Sequence, residues 1–543
     1  MQSQFSTIDW VILVTYFVTM ASVGPIFARR NKSTEGFFLG NRSFPSWLLG
    51  LAMFATSISS ITVMAYPGDA YRTAYLRLLP AFMLPVGILI CSRIFLPFYR
   101  RSRCTSAYEY LEDRFGAGVR VYISVVFLLM QITRVGTILF LVSLVFQRMT
   151  GATPFTCIFA GGIVIATYTV LGGIRAIVWT QFVQAFLLWL GAITCMVLVV
   201  GGIDGGIPAV ISTAMADNKF MLGDLNAAGE LEPAKWFSIW DKAIIMMFIM
   251  GLNNWLYEYS SNQNVIQKYV SAKNPKEATR SIWICCFLSV PTWAFFMFLG
   301  TCLYVYFQQN PDQVSQDILH GANGRKAEEI LPYFCVNEIP SGLAGIVITG
   351  ILAAAMSASA SSINAISAVT ITDIYKRHLV KNRGERHYVL AARVVSLAAC
   401  ALMMGCAALF LLASTLTLQD LGTKMASLLF GGILGLYVLG FLTRRGTGRS
   451  AGIGILCTVA FTIYAALGEW KVVTKEMFMN WGFSEGTSQI LAQPVHTYYV
   501  GIFGNIIMFV VIFAVSLLFE RKRDLPNLTY WTTQPVDGEE DGQ

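Results

Sequence analysis

Two apolar segments of this sequence are unusually rich in hydroxyl side chains. Residues 346–373 read IVITGILAAAMSASASSINAISAVTITD, long enough to cross a bilayer, with no charge before Asp373. Residues 54–62 read FATSISSIT and are followed closely by Pro67 and Gly68. Inside lipid, hydroxyls and freed carbonyls indicate either very close helix packing or a polar species that passes beside them. Two such segments far apart in one chain predict a solute site near the bilayer midplane, built from interrupted helices.

Arg134 is the single residue most indicative of function, because it lies near the middle of an apolar run over 119–147. An intramembrane guanidinium is costly unless it is paired or hydrated. One interpretation is that its planar fork holds a substrate carboxylate. The alternative is a fixed ion pair with Glu258, the nearest candidate acid. Glu258 itself could pair with Arg134, bind a cationic group, take up a proton, or simply face a water-filled vestibule.

Further candidate residues lie around the first hydroxyl-rich segment. We expect a helix break within it, which would free carbonyls for a cation and N–H groups for an anion. Asp69, Arg72 and Arg77 flank the outer ends of the second and third predicted spans, and Arg77, the deepest of the three, is a candidate for attracting an anion. The candidate substrate contacts just after the break are Ser59, Ser60 and Thr62.

Composition places the chain in the membrane. Its 543 residues are 55% hydrophobic and only 13% charged, whereas an average soluble domain carries about 25% charged residues. The net charge of +8 does not indicate nucleic-acid binding, because the basic residues fall in short clusters between apolar runs, as the positive-inside rule describes. We expect one membrane domain over 1–523 and a disordered acidic cytoplasmic tail over 524–543.

The predicted fold is all-α, with about thirteen transmembrane helices in a cell membrane. Placing the N-terminus outside and the C-terminus in the cytoplasm puts every basic cluster on the cytoplasmic side. Two five-helix halves of opposite topology are expected at about 46–203 and 240–442. The predicted spans are 9–28, 46–66, 75–98, 119–147, 155–174, 180–203, 240–262, 281–306, 341–372, 388–414, 421–442, 450–469 and 497–519.

Enzymatic and ATP-driven functions lack support in the sequence. The glycines form neither a P-loop nor a dinucleotide-binding pattern. The four histidines, His320, His378, His387 and His496, all fall in predicted loops. We therefore expect no catalytic residues, no enzyme and no nucleic-acid partner.

Several motifs resemble the solute:sodium symporter family over most of the chain. They are FFLGNR at 37–42, TSAYEYLEDRF at 105–115, LGGIRAIVWT at 171–180 and QNVIQK at 263–268, together with the first hydroxyl-rich segment. The resemblance implies a ten-helix inverted-repeat core of the LeuT type with additional helices. It also implies sodium as the co-transported ion.

Within that family the sequence looks most like the bacterial sialic-acid transporters. Residues 54–62, 203–207, 306–311 and 353–355 carry this likeness. The resemblance implies that Arg134 holds the substrate carboxylate and that Ser59, Ser60 and Thr62 contact the substrate. A headgroup-contacting glutamine of those transporters corresponds to Ala81 here.

The resemblance also implies a sodium site and two departures from the family. Its ligands correspond to the carbonyls of Ala55, Ile58 and Ala354 and the side chains of Ser357 and Ala358, where alanine replaces a hydroxyl. A second sodium site, present in some members, uses an acid and a serine that are Gln181 and Ala360 here.

The expected function is a secondary active symporter that couples inward sodium movement to uptake of a small organic solute, an anionic sugar such as sialic acid. The alternative is a proton-coupled or sodium-independent transporter of a neutral sugar or another monocarboxylate. A sensor on a transporter fold is a third possibility, for which we expect the tail to leave no room.

Overall fold

The described part of the chain is almost entirely helical. The computed structural model describes residues 6–28, 33–102, 104–226, 228–413, 431–470, 472–492 and 495–532. Gly223–Leu225 and Leu231–Pro233 form one antiparallel hairpin, with Asp224 opposite Glu232. The helices, including short 3-10 and π segments, are Thr7–Ala28, Thr34–Leu39, Gly40–Arg42, Ser46–Ser57, Ile61–Ala65, Tyr66–Arg72, Tyr75–Met83, Leu84–Arg101, Glu109–Phe115, Ala117–Thr150, Pro154–Gly201, Gly206–Ala216, Ile244–Ser260, Gln263–Val270, Pro275–Gln309, Gln313–His320, Ala322–Gly324, Ala327–Glu329, Ile330–Asn337, Leu343–Val369, Thr370–Leu379, Glu385–Ala413, Ile433–Leu442, Gly448–Glu469, Lys475–Asn480, Glu485–Ala492 and Thr497–Phe519.

Most of the predicted spans correspond to long apolar helices. In the described residues, nine helices are long and apolar enough to cross a membrane, and the bent pair Ser46–Ser57 and Ile61–Arg72 makes a tenth. The predicted spans 240–262 and 421–442 correspond to shorter helices, and residues 414–430 lie outside the described part. The protein is therefore an all-α polytopic membrane protein, and the count of thirteen stays a prediction.

Gly173 divides the longest helical element into two. Pro154–Gly201 has 48 residues, which would extend about 72 Å, more than twice the roughly 30 Å of a hydrocarbon core. Gly173 has φ 58° and ψ −167°, a non-helical conformation that side-chain-bearing residues rarely adopt. The break at Gly173 therefore separates the element at the place where the sequence predicts two spans, 155–174 and 180–203.

The first hydroxyl-rich segment is a broken helix. Its first half, Ser46–Ser57, ends at Ile58, which has an extended backbone (φ −90°, ψ 110°). Its second half, Ile61–Arg72, leaves at an angle of 56° to the first. The break lies where the sequence predicted it, between Ser57 and Ser59.

The second hydroxyl-rich segment is the most buried of the membrane-length helices in the described part of the chain. Leu343–Val369, here called the serine helix, is buried along almost its whole length and continues into Thr370–Leu379. Asp9 caps its start, because the Asp9 carboxylate accepts hydrogen bonds from the backbone N–H of Gly342 (2.8 Å) and Gly345 (2.7 Å). The first helix of the chain is thereby tied to the central one.

An ion network closes the far end of the serine helix. Arg120 donates from Nε to the buried Asp373 carboxylate (2.9 Å) and from Nη1 to Glu112 (2.7 Å). Glu112 also accepts from Nε of Arg377 at 3.1 Å, and Ser106 donates to Asp373 at 2.6 Å. These bonds join the short helix Glu109–Phe115 to two spans at that end of the protein.

Part of the predicted tail packs on the helical body. The backbone N–H of Tyr530 donates to the Phe441 carbonyl (2.9 Å), and the indole N–H of Trp531 donates to the Leu442 carbonyl (2.9 Å). Residues 533–543, including the acidic end, lie outside the described residues. The division into a domain over 1–523 and a tail over 524–543 stays a prediction.

Lys219 anchors the long loop 204–243 to the end of the broken helix. Its ammonium donates to the carbonyls of Tyr71 (2.7 Å) and Thr73 (3.2 Å) and lies 4.1 Å from the Tyr304 ring centroid. Only 4% of the residue is exposed. Burial lowers the pKa of Lys219 from its ordinary 10.5 to about 7, although Asp217 opposes the shift.

The lowered pKa of Lys219 predicts a pH-dependent stability. Between about pH 7 and pH 10 the unfolded chain holds a proton on this side chain that the folded protein has lost, so stability should rise with pH across that window. Lys219→Met removes the titrating group. Thermal unfolding midpoints of the detergent-purified protein, measured at intervals over this range, should therefore rise more steeply in the wild type than in the variant. Parallel pH curves would contradict the prediction.

Candidate functional site

The break in the broken helix lies against the middle of the serine helix, where three oxygen atoms converge. The Ser357 hydroxyl donates a hydrogen bond to the Ala55 carbonyl and lies 3.0 Å from the Ala354 carbonyl. Ser357 is completely buried. Oxygen atoms alone form this cluster, and oxygen ligands suit a hard cation such as sodium. The structure thus brings together three of the five predicted ion ligands.

The other two predicted ligands lie beside this cluster. Ile58 is the residue at which the first half ends, and its N–H donates to the Phe54 carbonyl at 3.0 Å. Ala358 directly follows Ser357, is buried, and supplies only a methyl group. A cation at this predicted site would therefore meet one side-chain hydroxyl, and backbone carbonyls would supply most of its coordination.

The hydroxyl residues after the break differ in their partners. Ser60 is completely buried and donates to the Ile138 carbonyl at 3.4 Å, which ties the break to the helix that carries Arg134. Ser59 and Thr62 are 6% and 4% exposed, and neither hydroxyl makes a hydrogen bond to another described residue. Their hydroxyls are therefore available to a polar ligand.

Arg134 and Glu258 form a long, partly exposed ion pair. Nη1 of Arg134 lies 3.8 Å from Oε1 of Glu258, and the side chains are 30% and 20% exposed. Asn262 donates to the other carboxylate oxygen at 2.7 Å. Arg134 is 17 residues from the start of its 34-residue helix, about 26 Å from that end. The guanidinium therefore lies near the middle of its helix, is partly exposed, and is held by a contact longer than a normal charge-assisted hydrogen bond.

Arg77 lies away from this pair. Its Nε is 3.2 Å from Oδ2 of Asp69, at the end of the second half of the broken helix, and both side chains are largely buried. The two charges offset each other. Of the two predicted arginines, Arg134 is the one whose charge is more available to an anion.

Several polar residues of the site escaped the sequence analysis. Gln131 accepts hydrogen bonds from Ser362 (2.8 Å) and from Asn264 (3.0 Å), which joins three helices at the centre of the protein. Lys268 is also buried there. The motif QNVIQK at 263–268 could have indicated this polar region, because amide and amine side chains within a membrane core need buried partners.

The chain is similar to known sodium-coupled transporters. The family model of the "Sodium:solute symporter family" matches residues 37–457. The Sodium/sialic acid symporter SiaT of Proteus mirabilis is 30% identical and covers 86% of this chain and 90% of its own length. The Sodium/sialic acid symporter NanT of Aliivibrio fischeri is 29% identical, covering 88% and 94%. The human Sodium-coupled monocarboxylate transporter 1 is 25% identical, covering 85% and 73%.

A solved structure is similar over nearly the whole chain. A Na+-coupled sialic acid symporter in its substrate-bound outward-open state, described as revealing a novel Na+ site, superposes with a TM-score of 0.80 and 28% identity. The alignment covers 96% of this chain and 99% of that one. The predicted all-α architecture with a LeuT-type core is confirmed, and so is the prediction of a transporter rather than an enzyme.

Ser357 and Ser359 provide a matched test of the oxygen cluster. Ser357→Ala removes the hydroxyl beside the Ala55 and Ala354 carbonyls, so half-saturation of uptake by sodium should require roughly tenfold more sodium, about 1.4 kcal/mol. Ser359→Ala is the control, because the Ser359 hydroxyl donates only to the Ala355 carbonyl of its own helix (2.8 Å). Equal sodium dependence in both variants would contradict the assignment of the cluster to sodium.

Proposed function

Because this chain belongs to the sodium:solute symporter family, we propose that it takes up a sialic acid, or a closely related sugar acid, together with sodium. The coupling of sodium to an organic solute follows from the family and from its relatives. The identity of the solute is the proposal. The observation that carries it is Arg134, a partly exposed guanidinium deep in the membrane beside a broken helix.

In this proposal Arg134 binds the carboxylate of the solute. Its planar fork offers two parallel N–H donors to one carboxylate, and in a low-dielectric setting these bonds are strong. Because its Nη1 lies 3.8 Å from Glu258, the guanidinium would lose little ion-pair energy when a substrate carboxylate approaches. The relatives support this chemistry, since sialic acids and monocarboxylates share a single carboxylate.

The hydroxyls after the helix break would hold the polar part of the solute. Ser59 and Thr62 are buried, with hydroxyls that make no hydrogen bond to another described residue. A ligand in contact with both hydroxyls would form hydrogen bonds with them. Glu258 would serve as the counter-ion of Arg134 before the solute binds and as an acceptor for a ligand N–H or O–H group.

Sodium would act on the same break from the other side. The Ala55 and Ile58 carbonyls belong to the broken helix, whereas Ala354 and Ser357 belong to the serine helix. An ion bound between them would link the two helices and fix the angle at which the broken helix presents Ser59 and Thr62. Binding of sodium therefore favours binding of the solute, which is the thermodynamic basis of symport.

We also propose the orientation in a cell membrane, with the N-terminus outside and the C-terminus in the cytoplasm. The charge clusters of the sequence support it, because this orientation places all of them on one side. The ion network of Arg120, Asp373 and Glu112 would then close the cytoplasmic end of the pathway.

Uptake by the purified protein in proteoliposomes tests the function. Radiolabelled N-acetylneuraminate should accumulate when an inward sodium gradient is imposed and should not accumulate with potassium in its place. Accumulation that does not depend on the sodium gradient and is stopped by an uncoupler would favour the proton-coupled alternative. Sodium-stimulated uptake of a neutral sugar, with none of N-acetylneuraminate, would overturn the proposed solute.

Replacement of Arg134 tests the carboxylate clamp. Arg134→Gln removes the charge and the fork, so affinity for N-acetylneuraminate should fall roughly a hundredfold or more, since each charge-assisted hydrogen bond contributes about 1.5–3 kcal/mol. Thr133→Ala is the matched control, because the Thr133 hydroxyl donates only to the Leu129 carbonyl one turn back (2.9 Å). Unchanged substrate affinity in a folded Arg134→Gln protein would exclude the clamp.

A further inference from the structure

Asn262 lies in a second helix break, directly after the helix that carries Glu258. The helix Ile244–Ser260 ends at Ser261, and the helix Gln263–Val270 begins after Asn262, whose backbone is extended (φ −84°, ψ 114°). Only 1% of Asn262 is exposed. A buried amide needs partners for both its oxygen and its nitrogen, so these partners determine what the side chain does at the break.

The start of the helix Gln263–Val270 determines which way the Asn262 amide faces. The backbone N–H of Asn264 donates to Oδ1 of Asn262 at 3.0 Å, which is the N-cap contact of this helix. An N–H group only donates, so the amide oxygen must face it and Nδ2 must point elsewhere. Nδ2 donates to Oε2 of Glu258, four residues earlier, at 2.7 Å. Asn262 therefore holds the Glu258 carboxylate from across the break.

The same helix start is attached to the helix that carries Arg134. Nδ2 of Asn264 donates to Oε1 of Gln131 at 3.0 Å, and both residues are buried. Gln131 precedes Arg134 by three residues, so the two side chains project from neighbouring positions on one helix face. These contacts fix the break relative to the Arg134 helix, and with it the place at which the Glu258 carboxylate is held.

Glu258 is bound more closely by the neutral amide than by the guanidinium. Its Oε2 lies 2.7 Å from Nδ2 of Asn262, whereas its Oε1 lies 3.8 Å from Nη1 of Arg134. A charge-assisted bond between arginine and a carboxylate has an N–O distance of about 2.7–2.9 Å, so the ion pair is not closed. If it closed, Glu258 would occupy the planar fork, and a solute carboxylate would have to displace it.

We propose that Asn262 is a positioning residue that holds the Glu258 carboxylate away from Arg134 and so keeps the guanidinium available to the carboxylate of the solute. The inference rests on the proposed carboxylate clamp and names a residue that determines its affinity. Asn262 acts as a neutral donor, so it adds no charge that would compete with Arg134 for the solute. Glu258, held at this distance, still balances the charge of Arg134 before the solute binds.

Asn262→Ser separates the two contacts of this side chain. Serine is as good an N-cap as asparagine, so its hydroxyl can still accept from the Asn264 N–H, but its shorter side chain should not hold Glu258. Glu258 should then close on Arg134. The Kd for N-acetylneuraminate, measured by calorimetry on the purified protein in sodium, should rise about tenfold or more. Wild-type affinity in a folded Asn262→Ser protein would refute the proposal.

Removal of the competing charge should reverse this effect. In Asn262→Ser combined with Glu258→Gln, residue 258 cannot form an ion pair with Arg134. The Kd of the double variant should therefore lie within about threefold of that of Glu258→Gln alone. A residue needed only for folding would not be rescued by a change of charge at position 258, and an equal loss of affinity in both backgrounds would overturn the positioning role.

Two comparisons separate positioning from a structural effect. Asn262→Ala removes the cap as well as the donor, so weaker solute binding in Asn262→Ala but not in Asn262→Ser would show that Asn262 acts through the helix start, against the proposal. Sodium affinity measured without solute should be the same in Asn262→Ser and the wild type, because Ser357 and its carbonyl partners lie on other helices. A parallel loss of sodium affinity would contradict the positioning role.

Arg134→Gln distinguishes failure of this inference from failure of the proposed function. If a folded Arg134→Gln protein binds N-acetylneuraminate as the wild type does, the carboxylate clamp itself is wrong. If Arg134→Gln loses affinity while Asn262→Ser keeps it, the clamp stands and only the role of Asn262 is refuted. Size-exclusion profiles and thermal unfolding identify the folded variants.

Discussion

The site depends on one constraint, namely that backbone carbonyls freed inside a membrane need polar partners. The helix that begins at Ser46 ends at Ile58, and the carbonyls of its last turn lose part of their helical hydrogen bonding. No bulk solvent reaches this buried place to replace those bonds. The serine helix meets the requirement through Ser357, and the short helix Gln263–Val270 meets it through Lys268. A bound ion would do the same, so binding and structural stability use the same carbonyls.

The charged side chains of the same region occur in two pairs of opposite charge. Arg134 faces Glu258 at 3.8 Å, and Arg77 lies 3.2 Å from Asp69. The Arg134 pair is the longer and the more exposed of the two. Arg134 therefore has less of its hydrogen-bonding capacity occupied by a fixed partner.

Some of these features were predictable from single residues or short patterns. Arg134 is conspicuous because any charge in the middle of an apolar run requires a partner or a path. The break near Ile58 followed from the dense hydroxyls of residues 54–62 ahead of Pro67 and Gly68. Lys268 and Gln131 were not recognised, because each is a common residue type whose importance comes from neighbours more than a hundred residues away in sequence. The non-helical conformation of Gly173 was also not predicted, although the two spans on either side of it were.

The sequence by itself determined the environment of the chain, the approximate position of its spans and the residues that the membrane would not tolerate without a partner. Those properties depend on the transfer free energy and the local helix geometry of each segment, and both are set by that segment's own residues. The tertiary structure decided how the charges and oxygens are shared: Arg134 contacts Glu258 loosely, Ser357 meets the Ala55 carbonyl, and Lys268 reaches Thr56. Hydrogen bonds and ion pairs act over a few ångströms, so only the packing of distant helices determines which partners they join.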